Sequence, residues 1–137
     1  MIEGLSHITF IVSDLNRMED FLTHIFDAKM TYSSGDTTFS LPREKFFLIN
    51  GLWIAIMGGD PLPDKTSNHV AFKIHEEDFD AYADRVRLLG IEVQGGRSRV
   101  EGEGRSLYFY DDDNHLFELH TGTLDQRLAR YEREPCI

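Results

Sequence analysis

The fold of this chain is decided by a pattern that occurs twice, first as LSHITFIVSDLNRMEDFLTHIFDAKM (residues 5–30) and again as SNHVAFKIHEEDFDAYADRVRLLGIEV (residues 67–93). Each copy begins with a histidine, His7 or His69, at the head of a strand in which apolar residues alternate. A polar cap follows, and then apolar residues at helical spacing; Gly90 marks the end of the second predicted helix. The sequence therefore contains an internal repeat.

Three further strands are predicted after each helix. They lie at Thr37–Ser40, Lys45–Ile49 and Leu52–Met57 in the first half, and at Ile91–Val93, Ser106–Tyr110 and Leu116–His120 in the second. Tight turns at Asn50-Gly51 and at Asp111–Asn114 join the last two strands of each half.

The predicted fold class is α+β, with two βαβββ modules in one chain. We expect one domain over residues 1–137, composed of module one (about 5–57), a linker (58–67), module two (about 68–121) and a C-terminal helix (about 124–134). A twisted sheet with one helix leaves one face uncovered. We therefore expect the two modules to form a cup, a half-barrel whose inward side chains come from alternate strand positions.

Composition excludes several classes of function. The net charge of −10, from 24 acidic and 14 basic residues, disfavours both nucleic acid and anionic membranes as partners. No stretch is apolar enough to span a membrane, and the first residues have no basic segment typical of a signal peptide. The one cysteine, Cys136, excludes a disulfide within the chain. A soluble cytoplasmic protein is expected.

Two histidines and one glutamate form the candidate metal site. His7 and His69 occupy equivalent positions of the repeat. Glu118 lies inside an apolar strand, and a buried carboxylate without a partner is costly. Aligning GLWIAIM with HLFELH places apolar Ile54 at the position of Glu118. Two imidazoles and one carboxylate with open positions predict a site for Mn²⁺ or Fe²⁺, with Zn²⁺ also possible.

The other polar residues of SLYFYDDDNHLFELH (residues 106–120) are assigned simpler roles. Asp111–Asp113 with Asn114 is typical of a turn, since Asp and Asn favour turn backbone. His115 has the opposite parity to Glu118, so it is expected to face outward. His120 shares the parity of Glu118 and is a candidate to support that ligand.

The repeat and these motifs resemble the vicinal-oxygen-chelate superfamily, which includes glyoxalase I, extradiol dioxygenases, bleomycin-sequestering proteins and fosfomycin-resistance enzymes. Within it, the segments GLSHITFIVSDL, FSLPREKFFLI, NHVAFKI and EGEGRSLYFYDDDNHLFELH are similar to the manganese-dependent fosfomycin epoxide hydrolases of the FosX type. This resemblance extends over nearly the whole chain. It implies Mn²⁺ held by His7, His69 and Glu118, a small phosphonate epoxide as substrate, and a homodimer with shared active sites.

The resemblance also implies a general base and a set of substrate contacts. The base is Glu44, in PREKFF, and it shares a strand face with Phe46 and Leu48. The implied phosphonate contacts are Thr9, Ser106, Tyr108 and Arg127, and Trp53 is a candidate wall for the substrate methyl group. Where related thiol transferases carry a lysine, this chain has Ser98, with Arg97 or Arg99 as possible substitutes.

The implied reaction is addition of water to the epoxide of fosfomycin, with Glu44 taking the proton. In a homodimer of the implied kind, His7 comes from one chain, and His69 and Glu118 come from the other. Three alternatives are open: a thiol transferase of the glutathione type that opens the same epoxide, a non-haem iron dioxygenase, and a protein that sequesters a drug without turnover.

Overall fold

A computed structural model describes residues 1–35, 43–95 and 104–133. The chain separates into two compact units, Met1–Lys65 with Asp111–His115, and Thr66–Tyr110 with Leu116–Ile137. Each unit contains a four-stranded mixed sheet, one from each half of the repeat. The predicted α+β class with two modules in one chain is therefore confirmed.

The first unit contains five elements: β1 (His7–Val12), α1 (Leu15–Phe26), β2 (Lys29–Ser33), β3 (Glu44–Ile49) and β4 (Leu52–Gly58). Its sheet has the order β1-β4-β3-β2, in which only β1 and β4 are parallel. The β3–β4 turn has positive φ at both Asn50 and Gly51, as a two-residue hairpin requires.

Helix α1 begins after a polar cap, as its sequence predicts. The Asp14 carboxylate accepts a hydrogen bond from the Arg17 backbone N–H, which satisfies one of the unpaired donors of the first turn. At the other end Asp27 adopts the left-handed conformation. The helix packs against β3 and β4 through one apolar face, which consists of Leu15, Met18, Phe21, Leu22, Ile25 and Phe26.

The second unit contains β5 (His69–Lys73), a 3₁₀ turn (Glu76–Asp78), α2 (Phe79–Leu88), β6 (Gln94–Gly95), β7 (Ser106–Tyr110), β8 (Leu116–His120) and α3 (Leu124–Arg133). Its sheet has the order β5-β8-β7-β6, with β5 and β8 parallel, so it repeats the topology of the first sheet. No helix in the described ranges is both long and apolar enough to cross a membrane.

The structure contains one strand that was not predicted and lacks one that was, and a third predicted strand falls outside the described residues. Lys29–Ser33, which was not predicted, forms β2; all five residues are exposed, so no alternation revealed it. The strand predicted at Ile91–Val93 is wrong. The Ile91 N–H instead donates to the Val86 carbonyl across Gly90, which closes the end of α2. Residues 37–40 lie outside the described ranges.

The three aspartates form a turn, as predicted, and two of them are buried. Asp111 Oδ1 accepts the backbone N–H groups of Asp113 and His115, at 2.9 and 2.8 Å. Asp113 Oδ1 accepts both the N–H and the hydroxyl of Ser13, at 2.9 and 2.7 Å. Asp112 is exposed and pairs with Arg17. The carboxylates of Asp111 and Asp113 thus replace backbone partners and fix this turn within the first unit.

The prediction that His115 faces outward is wrong. Its side chain is only 11% exposed, and its Nδ1 lies 2.7 Å from Asp111 Oδ2. Its ring contacts Phe10 edge-on, with the ring centroids 5.0 Å apart. Strand parity failed here because His115 precedes β8 and belongs to the turn, where side chains no longer alternate between two faces.

Asp113→Ala is expected to destabilise the protein more than Asp112→Ala, although the two residues are neighbours. The first change leaves the N–H and the hydroxyl of Ser13 without their acceptor, a loss of about 1–3 kcal/mol. The second removes an exposed ion pair, which contributes less than about 1 kcal/mol. Urea denaturation measures both free energies of unfolding. Equal effects would show that Asp113 is not the anchor of the turn.

Candidate metal centre

Glu118 is a carboxylate in the middle of an apolar strand. The flanking residues of β8, Phe117 and Leu119, are fully buried, and Glu118 itself is 6% exposed. Burial of an ionised carboxylate is unfavourable unless cations or hydrogen-bond donors surround it. Both of its oxygens face polar atoms of neighbouring strands, so this strand supports a polar site.

His69 presents one nitrogen to that carboxylate. Its Nδ1 lies 2.8 Å from the Ser67 carbonyl oxygen, which only accepts hydrogen bonds, so Nδ1 carries the proton. Nε2 of the neutral ring is then a lone pair, and it lies 2.9 Å from Glu118 Oε1. Two acceptors this close require a proton or a metal cation between them.

The same two atoms fit a divalent cation. Ligand atoms about 2.1 Å from a common ion, at right angles to each other, lie about 3 Å apart. The separation of Nε2 and Oε1 satisfies this condition. A backbone carbonyl that fixes the tautomer of a ligating histidine is also the usual arrangement in metal sites. His69 and Glu118 therefore suit a cation as a pair.

The third predicted ligand, His7, belongs to the other unit. It is exposed at the head of β1, and its ring stacks on Trp53 with the centroids 4.1 Å apart. Within residues 1–35, 43–95 and 104–133, no three His, Cys, Asp or Glu side chains converge on one point. The pair formed by His69 and Glu118 is thus the part of the predicted triad that lies within one unit.

Two further side chains surround the second oxygen of Glu118. The Ser106 hydroxyl donates to Oε2 at 2.7 Å, and His120 Nδ1 lies 2.8 Å from the Ser106 oxygen. The strand register explains the contacts, because Ser106 pairs with His120 across β7 and β8. Sequence parity suggested His120 as a support for Glu118. The structure places Ser106 between them.

Tyr108 is the cross-strand neighbour of Glu118. Burial raises the pKa of its hydroxyl, and the negative charge of Glu118 raises this pKa further. The Ser106 hydrogen bond and the positive charge of Arg127 act in the opposite direction. The Tyr108 and His69 rings also pack edge to face, with the ring centroids 5.7 Å apart. Tyr108 is therefore a neutral donor beside the candidate metal centre.

The first unit exposes a sheet face that carries several of the predicted residues. Along β1, His7, Thr9 and Ile11 are exposed, whereas Phe10 and Val12 are buried. On β3, Glu44 shares a face with Phe46 and Leu48, as predicted, while the alternate residues are buried. The register of β1, β4 and β3 forms three cross-strand rows: His7–Trp53–Leu48, Thr9–Ala55–Phe46 and Ile11–Met57–Glu44.

The strand register corrects the alignment of GLWIAIM with HLFELH, and it also gives the position of Trp53. In β8 Glu118 pairs with Ala71, the second residue after His69. The equivalent residue of β4 pairs with Thr9, and it is Ala55, not Ile54. Ile54 points into the core and is fully buried. The same register puts Trp53 directly beside His7, on the face that carries Thr9.

The remaining predicted residues are on less buried elements. Arg127 is exposed on α3, and its charge reaches Tyr108. Ser98, Arg97 and Arg99 lie outside the described residues. The Glu44 carboxylate is half-buried and makes no hydrogen bond or ion pair with a residue that the structure describes.

Sequence reasoning gave no role to Lys45, the residue after Glu44. It is 8% exposed, and its Nζ lies 2.9 Å from Asn16 Oδ1 and 2.5 Å from Glu19 Oε1 of α1. A buried lysine requires such partners. The only sequence signal was a charged residue at a position whose strand neighbours, Phe47 and Ile49, are core residues. This contact ties the start of β3 to the helix.

Residues 4–119 match the model of the Glyoxalase/Bleomycin resistance protein/Dioxygenase superfamily. The fosfomycin resistance protein FosX of Listeria innocua is 62% identical over 133 residues, which cover 97% of this chain and all of that protein. A metallothiol transferase FosB of Shouchella clausii is 38% identical over 139 residues, covering 97% of this chain and 90% of that protein.

The chain is also similar to a crystal structure of the same type of protein. This is a point mutant of the fosfomycin resistance protein FosX from Listeria monocytogenes, complexed with Mn(II) and 1S,2S-dihydroxypropylphosphonic acid. The TM-score is 0.86 at 60% sequence identity, and the match covers 96% of this chain and 99% of that one.

Glu118→Ala is expected to weaken Mn²⁺ binding more than about 100-fold, because loss of a ligand costs more than loss of an outer hydrogen-bond partner. The protein is titrated with Mn²⁺, and electron paramagnetic resonance quantifies the free ion at each step. This measures the affinity of the protein for Mn²⁺. Asp112→Ala serves as the control, because it removes an exposed carboxylate from residues 106–120. Unchanged affinity in Glu118→Ala would remove this residue from the ligand set.

Proposed function

Because the chain belongs to the Glyoxalase/Bleomycin resistance protein/Dioxygenase superfamily and, within it, to the FosX family, we propose that it confers fosfomycin resistance by epoxide hydrolysis. It is an Mn²⁺-dependent hydrolase that adds water to fosfomycin and gives a diol. The observation that carries this function is the buried Glu118 carboxylate 2.9 Å from His69 Nε2, in a chain 62% identical to a FosX protein.

Three residues are proposed to hold Mn²⁺: His7, His69 and Glu118. When bound, the ion supplies Lewis acidity to the epoxide oxygen. The chain itself contributes ligand orientation, because the Ser67 carbonyl fixes the tautomer of His69. Two nitrogen ligands and one oxygen ligand without thiolate are suited to Mn²⁺ and leave positions for substrate oxygens.

Glu44 is proposed as the general base. Its carboxylate is half-buried and has no partner among the described residues, so it is available to accept a proton from water. The water oxygen bonds to one epoxide carbon, and the carbon–oxygen bond on the opposite side breaks. One proton of the water passes to Glu44, and the released epoxide oxygen takes up a proton from solvent to complete the diol; Glu44 then returns its proton to solvent. General-base catalysis of this kind is worth on the order of 10²–10⁴-fold in rate.

The phosphonate of fosfomycin is an anion, and the protein carries a net charge of −10. We propose that Arg127 supplies the compensating charge, with Tyr108 and Thr9 as hydroxyl donors. The raised pKa of Tyr108 keeps its proton in place for such a bond. Trp53 is proposed to line the methyl side of the substrate. The Ser106 hydroxyl is already committed to Glu118, so it contacts the phosphonate only by giving up that bond.

The active site is proposed to be shared in a homodimer, with His7 from one chain and His69 and Glu118 from the other. Support comes from the position of these residues in different compact units and from the exposure of the β1 face. A cytoplasmic location is part of the same proposal.

The function is tested by incubating fosfomycin with Mn²⁺-loaded protein in the presence and absence of glutathione. Phosphorus NMR and mass spectrometry are expected to find the diol in both cases. A thioether formed only with thiol would instead indicate a transferase, the activity named for the relative that is 38% identical. Unaltered fosfomycin that co-purifies with the protein would indicate sequestration.

Glu44→Gln is expected to retain Mn²⁺ affinity while kcat falls by about 10²–10⁴-fold, because the amide cannot accept the proton from water. Glu77→Gln changes an exposed glutamate in the same way and is the matched control. Steady-state kinetics with Mn²⁺ titration measures both properties. Turnover near that of the control would exclude Glu44 as the base.

Co-expression of His7→Ala and Glu118→Ala chains tests the shared site. Each variant alone is expected to be inactive. With random pairing, half of the dimers contain both variants, and one of the two sites in each such dimer is intact, so about a quarter of the normal activity returns. If each site were formed by a single chain, every site would lack a ligand and no activity would return.

A further inference from the structure

One oxygen of the Glu118 carboxylate is held away from His69. Its Oε2 accepts the Ser106 hydroxyl at 2.7 Å, and His120 Nδ1 lies 3.5 Å from the same oxygen. His120 Nδ1 is 2.8 Å from the Ser106 oxygen. Ser106, Glu118 and His120 all lie in the second unit. The side chains of Glu118 and His120 are 8% and 18% exposed.

The direction of these hydrogen bonds follows from the number of protons. A serine hydroxyl has one proton, and the Ser106 proton goes to Glu118, which only accepts while it is ionised. The contact between Ser106 and His120 therefore needs a proton from the imidazole, so His120 Nδ1 is the donor. A directed chain runs from His120 through Ser106 to Glu118.

We propose that Ser106 and His120 are positioning residues for Glu118. By holding Oε2, they keep Oε1 directed at His69 Nε2 and at the cation between them. The Ser106 hydroxyl thus serves the ligand, while the substrate phosphonate is bound by other groups. The inference rests on the proposed function, because it assumes that Glu118 binds Mn²⁺.

The strands make this arrangement rigid. Ser106 and His120 are direct partners across β7 and β8, and Glu118 is diagonal to Ser106 in the same ladder. On the other side of β8, the parallel ladder with β5 fixes His69. A carboxylate whose Oε2 is already held by hydrogen bonds loses less freedom when a cation binds to Oε1, and this preorganisation raises affinity.

The test is Mn²⁺ affinity without substrate, measured by electron paramagnetic resonance for Ser106→Ala, His120→Ala and His120→Asn. Ser106→Ala and His120→Ala are expected to bind Mn²⁺ about 10- to 100-fold more weakly. His120→Asn retains an N–H donor at the position of Nδ1, so it is expected to restore most of the affinity. Tyr110→Phe removes a hydroxyl from the same strand that donates to the Thr66 carbonyl, and it serves as the control.

Thermal unfolding of each variant separates loss of positioning from loss of fold, since a variant with normal Tm and weak Mn²⁺ binding supports the inference. Affinity equal to or above that of the control in Ser106→Ala would overturn it. If this unchanged affinity is accompanied by a raised KM for fosfomycin, Ser106 contacts the substrate instead of supporting Glu118. If Glu118→Ala also binds Mn²⁺ normally, the proposed metal site itself is wrong.

Discussion

A buried carboxylate that faces a lone pair is the constraint on which the site depends. The Ser67 carbonyl fixes a proton of His69 on Nδ1, so in the neutral ring Nε2 and Glu118 Oε1 are two acceptors 2.9 Å apart. This contact is repulsive unless a positive charge lies between the two atoms. The parallel β5–β8 ladder places the two residues on neighbouring strands, and a divalent cation satisfies both acceptors.

Residues 106–120 contain four carboxylates with different roles. They differ in how deeply they are buried and in the groups that they contact. Asp111 and Asp113 are buried, and their hydrogen bonds from N–H and hydroxyl groups fix the turn. Asp112 is exposed beside Arg17. Glu118 has one oxygen 2.9 Å from His69 Nε2 and the other bound by the Ser106 hydroxyl, so its position suits metal binding.

Much of the fold and part of the site could be predicted from the sequence. Alternation within one strand correctly placed Glu44 on the same face as Phe46 and Leu48, because side-chain parity is a local property. Pairing between strands is not local. The equivalence of Ala55 with Glu118 therefore became visible only in the ladders, and so did the contact of Ser106 with Glu118. His115 was misplaced because a turn does not preserve parity.

The proposed metal centre places a divalent cation between His69 and Glu118. Anomalous diffraction from a crystal of the Mn²⁺-loaded protein tests it most directly. We predict a single manganese peak about 2.1 Å from both His69 Nε2 and Glu118 Oε1. A fully loaded crystal without a peak at this position, in which the two side chains still contact each other, would show that these residues do not bind the ion.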